Sequence, residues 1–226
     1  MSLSTKDPVN QPLIELEEKI GLQKLGLMNS SVWYEDPRRL VFTLARYKFV
    51  AKMLSGKQRV LEIGCGDGFC ARVVRQEVEE LTISDYDPIF INKFTEIASP
   101  SWPIKTKVHN ILEGHLPTEY DAVYSLDVME HISPEDEELY LGNICKSLTT
   151  SGVAIIGMPS LESQQYASEG SKEGHINCQS GNNFRKSLTR YFENVFIFSM
   201  NDEVVHTGYS KMAHYLLGLC CSPKGN

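Results

Sequence analysis

The sequence predicts a single α/β domain built on a mostly parallel sheet, and three observations lead there. Short apolar runs alternate with amphipathic stretches across residues 59–157. Helix starts are marked three times by a capping residue followed by proline: Asp36-Pro37, Asp87-Pro88 and Ser133-Pro134. The last two strand-like runs are joined by a polar connection with no room for a crossover helix, so they should pair antiparallel. Unbroken apolar strands alternating with helices imply a parallel sheet covered on both faces.

Residues 1–12 read as a frayed polar tail, and residues 13–25 carry a modest helical pattern in Leu13, Leu16, Ile20 and Leu25. Asp36 as N-cap with Pro37 at the first helical position opens a stronger helix that stops at Ser55-Gly56. Strands are expected at 59–63, 81–84, 121–125 and 153–157, with a weaker one at 105–109. Helices fall between them at 68–79, 88–98 and 134–148, the last begun by a capping box of Ser133 and Asp136. A helix at 182–192 precedes the two final runs, 195–200 and 213–221. Residues 13–55 are expected as N-terminal helices capping a ligand site and 56–226 as the core.

A chain of 226 residues, 42% hydrophobic, can bury a sizeable core without covalent staples. With 22 Lys+Arg against 29 Asp+Glu, the net charge of −7 argues against duplex nucleic acid as a main partner. The six cysteines form no CxxC and suit reduced thiols. Residues 215–221, the longest apolar run, are too few to cross a bilayer, and the first ten residues lack signal-peptide character. A soluble, cytoplasmic protein with no membrane partner is the expectation.

The sharpest motif is the G-x-G-x-G of Gly64, Gly66 and Gly68, placed where a strand should turn into a helix. Such turns at the carboxyl ends of parallel strands receive ligands. A dinucleotide fingerprint would need glycine at position 69, which is Phe69. Glu62 before the turn and Asp67 within it are ill suited to a pyrophosphate and suit a ligand bearing an ammonium and a sulfonium. Asp85, 21 residues after Gly64, ends the second strand where a carboxylate can accept from both ribose hydroxyls. Asn110 offers donor and acceptor to an adenine edge, with Leu61, Phe69, Tyr86 and Ile111 placed to sandwich the base.

Four motifs in order, VLEIGCGDG, SDYDP, YDAVYSLDVMEHI and GVAIIGMPS, resemble the class I S-adenosylmethionine-dependent methyltransferases over roughly residues 40–221. The resemblance implies a Rossmann-like, doubly wound, seven-stranded sheet with an antiparallel terminal strand, and S-adenosyl-L-methionine as cofactor with S-adenosyl-L-homocysteine as product. It implies a methionine-end role for Glu62, Gly64 and Gly66 and a ribose role for Asp85. Arg46-Tyr47 resembles an Arg-Tyr element used near the methionine carboxylate, and Asp127 is counted with the donor site. Many members carry an acid where Asn110 stands.

The expected reaction is methyl transfer to an oxygen or nitrogen of a small molecule such as a sugar, a lipid-linked compound or a secondary metabolite. His131, in the segment after the fourth strand, and His175, in the polar stretch 160–181, are the candidate bases. That stretch is long enough to form a substrate-side lid. Trp33, Tyr34, Tyr166 and Tyr191 could line an acceptor pocket. Asp127, Glu130 and His131 at i, i+3 and i+4, with His175, could also gather around a divalent ion. That set is similar to the E-x-x-E-H…H element of metal-assisted O-methyltransferases, but the first acid here is aspartate and metal-free relatives share the stretch, so the metal stays open. A nucleotide-dependent oxidoreductase and a non-catalytic nucleoside-binding module are the alternatives.

Overall fold

The computed structural model describes residues 3–117 and 119–225; Met1 and Ser2 of the expected tail, Thr118 and Asn226 lie outside the described residues. The order of elements is α1 (Gln11–Ile20), α2 (Leu27–Glu35), α3 (Pro37–Met53), β1 (Arg59–Ile63), α4 (Ala71–Arg75), β2 (Glu80–Asp85), α5 (Pro88–Phe94) and β3 (Lys105–Val108). Then come β4 (Tyr120–Leu126), α6 (Glu137–Lys146), β5 (Leu148–Pro159), α7 (Glu169–Gly174), α8 (Gly181–Thr189), β6 (Phe192–Asn201), β7 (Val204–His206) and β8 (Tyr215–Pro223).

One eight-stranded sheet runs β3-β2-β1-β4-β5-β8-β6-β7. Strands β1 to β5 pair parallel, while β8 inserts antiparallel between β5 and β6. The expected pairing of the two final long runs therefore holds. Among the described residues the strand number is eight rather than seven, because the polar connection itself contributes β7, a short edge strand paired through Ser199↔His206 to Asn201↔Val204.

Alternating side chains of the central strands feed two cores. Val60, Leu81, Ile83 and Tyr124 meet Val50, Leu54, Val74 and Phe94 from α3, α4 and α5. Leu61, Ile63, Val123 and Ile156 meet Tyr140, Leu141, Ile144, Phe184 and Leu188 from α6 and α8 on the other face. This two-sided covering explains why these strands read as unbroken apolar runs. At the edge, β3 is exposed along its whole length and carries Lys105 and Lys107, which discourages pairing with another sheet.

The caps at Asp36 and Asp87 form as read, accepting from the amides of Arg38 and Ile89. The hydroxyl of Ser133 accepts from the amide of Asp136 and donates to its carboxylate, and the regular helix begins only at Glu137. Helix α4 is much shorter than the expected 68–79. Residues after Arg75 bond instead to the turn that follows α3, the amide of Gly56 to the carbonyl of Glu77 and the amide of Glu79 to the carbonyl of Lys57. Helix α1 starts at Gln11, inside the stretch read as a tail. Helix α2, which the sequence does not announce, carries Trp33 and Tyr34. It escaped periodicity because its apolar residues ring the axis and its N-cap is Gly26, without a capping side chain. Among the described residues, no helix is long and apolar enough to cross a membrane.

Candidate active site

Strand order reverses between β1 and β4, so the segments leaving these two strands flank a crevice at the carboxyl edge of the sheet. Open α/β sheets bind ligands at that position. The glycine turn of β1 lies on one side, and residues 127–131 after β4 lie on the other.

Gly64 and Gly66 take φ of +73° and +52°, a left-handed backbone that a side chain would strain. The turn is held from below. The amides of Gly64 and Cys65 both donate to the carbonyl of Ser84, and the amide of Gly66 donates to Oδ2 of Asp85 at 2.9 Å. Asp85 also accepts from the amide of Asp87 at 3.0 Å through Oδ1. Burial holds its carboxyl above the usual range, against these hydrogen bonds.

Asp67 is 2% exposed and faces α2. Its carboxylate accepts from the backbone amide and the side-chain amide of Asn29, each at 2.8 Å. Helix α2 is thereby docked on the glycine turn, with Met28 against Gly66.

Glu62 is enclosed at the end of β1, just before the glycine turn. It is 1% exposed and accepts from the hydroxyl of Tyr47 on one oxygen and from that of Tyr124, at 2.7 Å, on the other. Burial pushes its carboxyl up to about 7, although both tyrosines oppose the rise. Tyr47 is accordingly a core residue bonded to Glu62. Arg46, its neighbour in sequence, points differently. Its Nη1 donates to both oxygens of Asp127 at 2.9 and 2.8 Å, and its guanidinium lies 3.8 Å over the ring of Tyr215. Asp127 itself adopts φ of +56°.

The residues expected around the base divide. Ile111 is buried and Tyr86 is exposed, while Leu61 is sealed in the core. Asn110 has both ends of its amide engaged, Oδ1 capping the amide of Leu112 at 3.1 Å and Nδ2 donating to Glu113 at 3.2 Å. Tyr191 sits before β6, where Phe192 pairs with Pro223 at the sheet's amino edge, so it is removed from the crevice. Trp33, Tyr34 and Tyr166 are exposed.

Across the crevice, His131 and His175 meet edge to face with ring centroids 5.2 Å apart. Nδ1 of His131 lies 2.8 Å from the carbonyl of Gly174, and Nδ1 of His175 lies 2.9 Å from Oε1 of Gln164. An oxygen that only accepts requires hydrogen on each Nδ1, leaving the lone pair on Nε2. Burial, then the neighbouring His131, lowers the imidazole of His175 below its ordinary value. Glu130 is 1% exposed with Oε2 unpartnered, and burial followed by the charge of Asp127 raises its carboxyl well above the usual range. Ligating atoms of Glu130, His131 and His175 all lie within 4.8 Å of one another. One carboxylate and two imidazoles are a donor set suited to a divalent transition metal. Asp127, the fourth member of the expected set, is committed to Arg46 instead.

The contacts that sequence reading missed are Asn29–Asp67, Arg46–Asp127 and Tyr124–Glu62. They join positions up to 81 residues apart, and no local pattern announces them.

Comparison with known proteins agrees with this geometry. Residues 33–195 match a family model described as a methyltransferase domain. The chain is 29% identical over 124 residues to the mitochondrial ubiquinone biosynthesis O-methyltransferase of Schizosaccharomyces pombe, covering 53% of this chain and 42% of that protein. It spans about half the length, or less, of the curated relatives it matches. A crystal structure of a S-adenosylmethionine-dependent methyltransferase from Clostridium acetobutylicum superposes with a TM-score of 0.68 at 12% identity, covering 88% of this chain and 98% of that one. The N-methyltransferase NodS from Bradyrhizobium japonicum, in complex with S-adenosyl-L-homocysteine, gives 0.60 at 18% identity, covering 83% and 87%. The two structures share the fold, and the family match covers most of the chain. With the glycine turn and its acid at Asp85 in place, the chain belongs to the methyltransferase domain family.

Proposed function

We propose that the protein transfers the methyl group of S-adenosylmethionine to an oxygen or nitrogen of a small molecule. The observation that carries this reading is the placement of the His131–His175 pair at the same carboxyl edge as the glycine turn. A donor over Gly64 and Gly66, with its ribose at Asp85, would direct its sulfonium toward the segment after β4. The methionine end would meet Arg46 and Asp127, and the adenine would lie near Tyr86, Asn110 and Ile111. Glu62 would act from beneath the turn through Tyr47 and Tyr124, not by touching the donor.

Methyl transfer from a sulfonium is an in-line displacement: the acceptor's lone pair forms the new bond to carbon as the carbon–sulfur bond breaks. The protein's task is alignment and, for a hydroxyl or protonated amine, removal of a proton. Nε2 of His131 or His175 carries the lone pair that receives it. Residues 160–179 carry His175 to the side of His131.

The proximity of Glu130, His131 and His175 favours a second reading, in which the three hold a divalent cation. Such an ion supplies Lewis-acid polarisation of an acceptor oxygen when bound.

Calorimetric titration with S-adenosylhomocysteine tests the donor site; absence of binding at millimolar ligand to folded protein removes the reading. A screen of small acceptors with radiolabelled donor, run with and without EDTA, tests the reaction and the cation. Donor binding with no transfer to any acceptor would leave a nucleoside-binding module.

A further inference from the structure

The loop that brings His175 to His131 is gripped at its foot by one carboxylate. Glu137, the first residue of α6, accepts through Oε2 from the side-chain amides of Asn177 at 3.1 Å and Gln179 at 2.6 Å. Both amide residues are buried. Asn177 also donates its backbone amide to the carbonyl of Glu130 at 3.0 Å, joining the loop to the turn that carries His131. Gln179 accepts from the hydroxyl of Ser187 at 3.2 Å and forms a bridge with Ser160, which closes the loop on itself.

Within the loop, residues 161–176 are mostly exposed or half-buried, so little apolar burial fixes them. A segment of that length gains conformational entropy when its ends are released. The closure at 177–179, two residues beyond His175, anchors it to α6, beside the bond between Nδ1 of His131 and the carbonyl of Gly174. A carboxylate accepting from two amides makes stronger bonds than a neutral acceptor would, and buried amides without an acceptor are costly.

We infer that Glu137 is a positioning residue that holds His175 against His131 by gripping Asn177 and Gln179. What the pair does rests on the methyl-transfer reading above, but the pairing itself can be read without it.

The test is nuclear magnetic resonance on the histidine-labelled 226-residue chain, following the cross-relaxation between the two imidazoles. Wild type shows the His131–His175 cross-peak. Glu137→Ala loses it, whereas Glu137→Gln, which keeps an oxygen to accept from both amides, retains it. S-adenosylhomocysteine affinity stays at the wild-type value in both variants. In turnover assays with S-adenosylmethionine and an acceptor found by the screen above, Glu137→Ala falls about a hundredfold in kcat with KM for the donor unchanged. A cross-peak that survives Glu137→Ala, or that is lost equally in both variants, overturns the inference. Should Glu137→Ala not fold, the double variant Asn177→Ala/Gln179→Ala removes both donors to the same carboxylate, and persistence of the cross-peak there overturns it too. Failure of every form, wild type included, to bind S-adenosylhomocysteine sinks the methyltransferase reading and leaves the cross-peak comparison standing.

Discussion

Tyr124 donates its hydroxyl to Glu62 at 2.7 Å in the middle of the core, and Tyr47 takes the other oxygen of the same carboxylate. This carboxylate is a buried link between α3, β1 and β4 next to the glycine turn.

Its protonation should set a pH dependence of stability. Burial raises the Glu62 carboxyl from the ordinary 4.5 to about 7, so the folded state keeps a proton that the unfolded chain releases in between. Stability from this group is full below pH 4.5 and is lost as pH rises through 7, by on the order of 3 kcal/mol. Glu62→Gln should show a Tm difference from wild type that grows more positive between pH 5 and pH 8. Thermal denaturation at the two pH values measures it, and a constant difference would contradict the assignment.

Binding should move the same proton. A ligand carrying an ammonium and a sulfonium favours the ionised form of Glu62, so S-adenosylmethionine should release protons at pH 6 and few at pH 8.5. Calorimetry in buffers of different ionisation enthalpy counts them. Glu62→Gln should abolish the difference between the two pH values.

The two leading glycines should not tolerate alanine equally. At Gly66 an added Cβ meets only the flexible end of Met28, 2.6 Å from Sδ, so the cost is the left-handed backbone, about 1–2 kcal/mol. At Gly64 the Cβ would run into Cγ2 of the β-branched Val128, raising the loss to about 3 kcal/mol or more. Chemical denaturation should rank Gly64→Ala below Gly66→Ala, and Val128→Ala should partly rescue the former alone.

Removing the α2 clasp should loosen the turn. Asn29→Ala deletes the side-chain donor to the buried Asp67 and leaves it the amides of Asn29 and Phe69. A loss of about 1–3 kcal/mol is expected, with weaker S-adenosylhomocysteine binding. Unchanged affinity and stability would show that α2 does not hold the turn.

Short-range features of this protein are written in its sequence, and long-range ones are not. The parallel core, the caps at Asp36 and Asp87, the antiparallel final pair and the glycine turn were legible, because each is written in a few consecutive residues whose spacing fixes backbone shape. Helix α2 was not, since its apolar residues follow no face and its role is to dock on Asp67 through Asn29. The seventh strand in chain order, Val204–His206, forms only because β6 offers it an open edge.

For the site, the sequence by itself determined which residue types stand at the carboxyl ends of β1, β2 and β4, and it paired His131 with His175 as candidates. Only the tertiary structure decided what each side chain faces. It turned Glu62 inward between two tyrosines, drew Asp127 away to Arg46, and left Glu130 beside the two imidazoles. A carboxylate's partner depends on which groups folding brings within about 3 Å, a distance that chain separation does not encode.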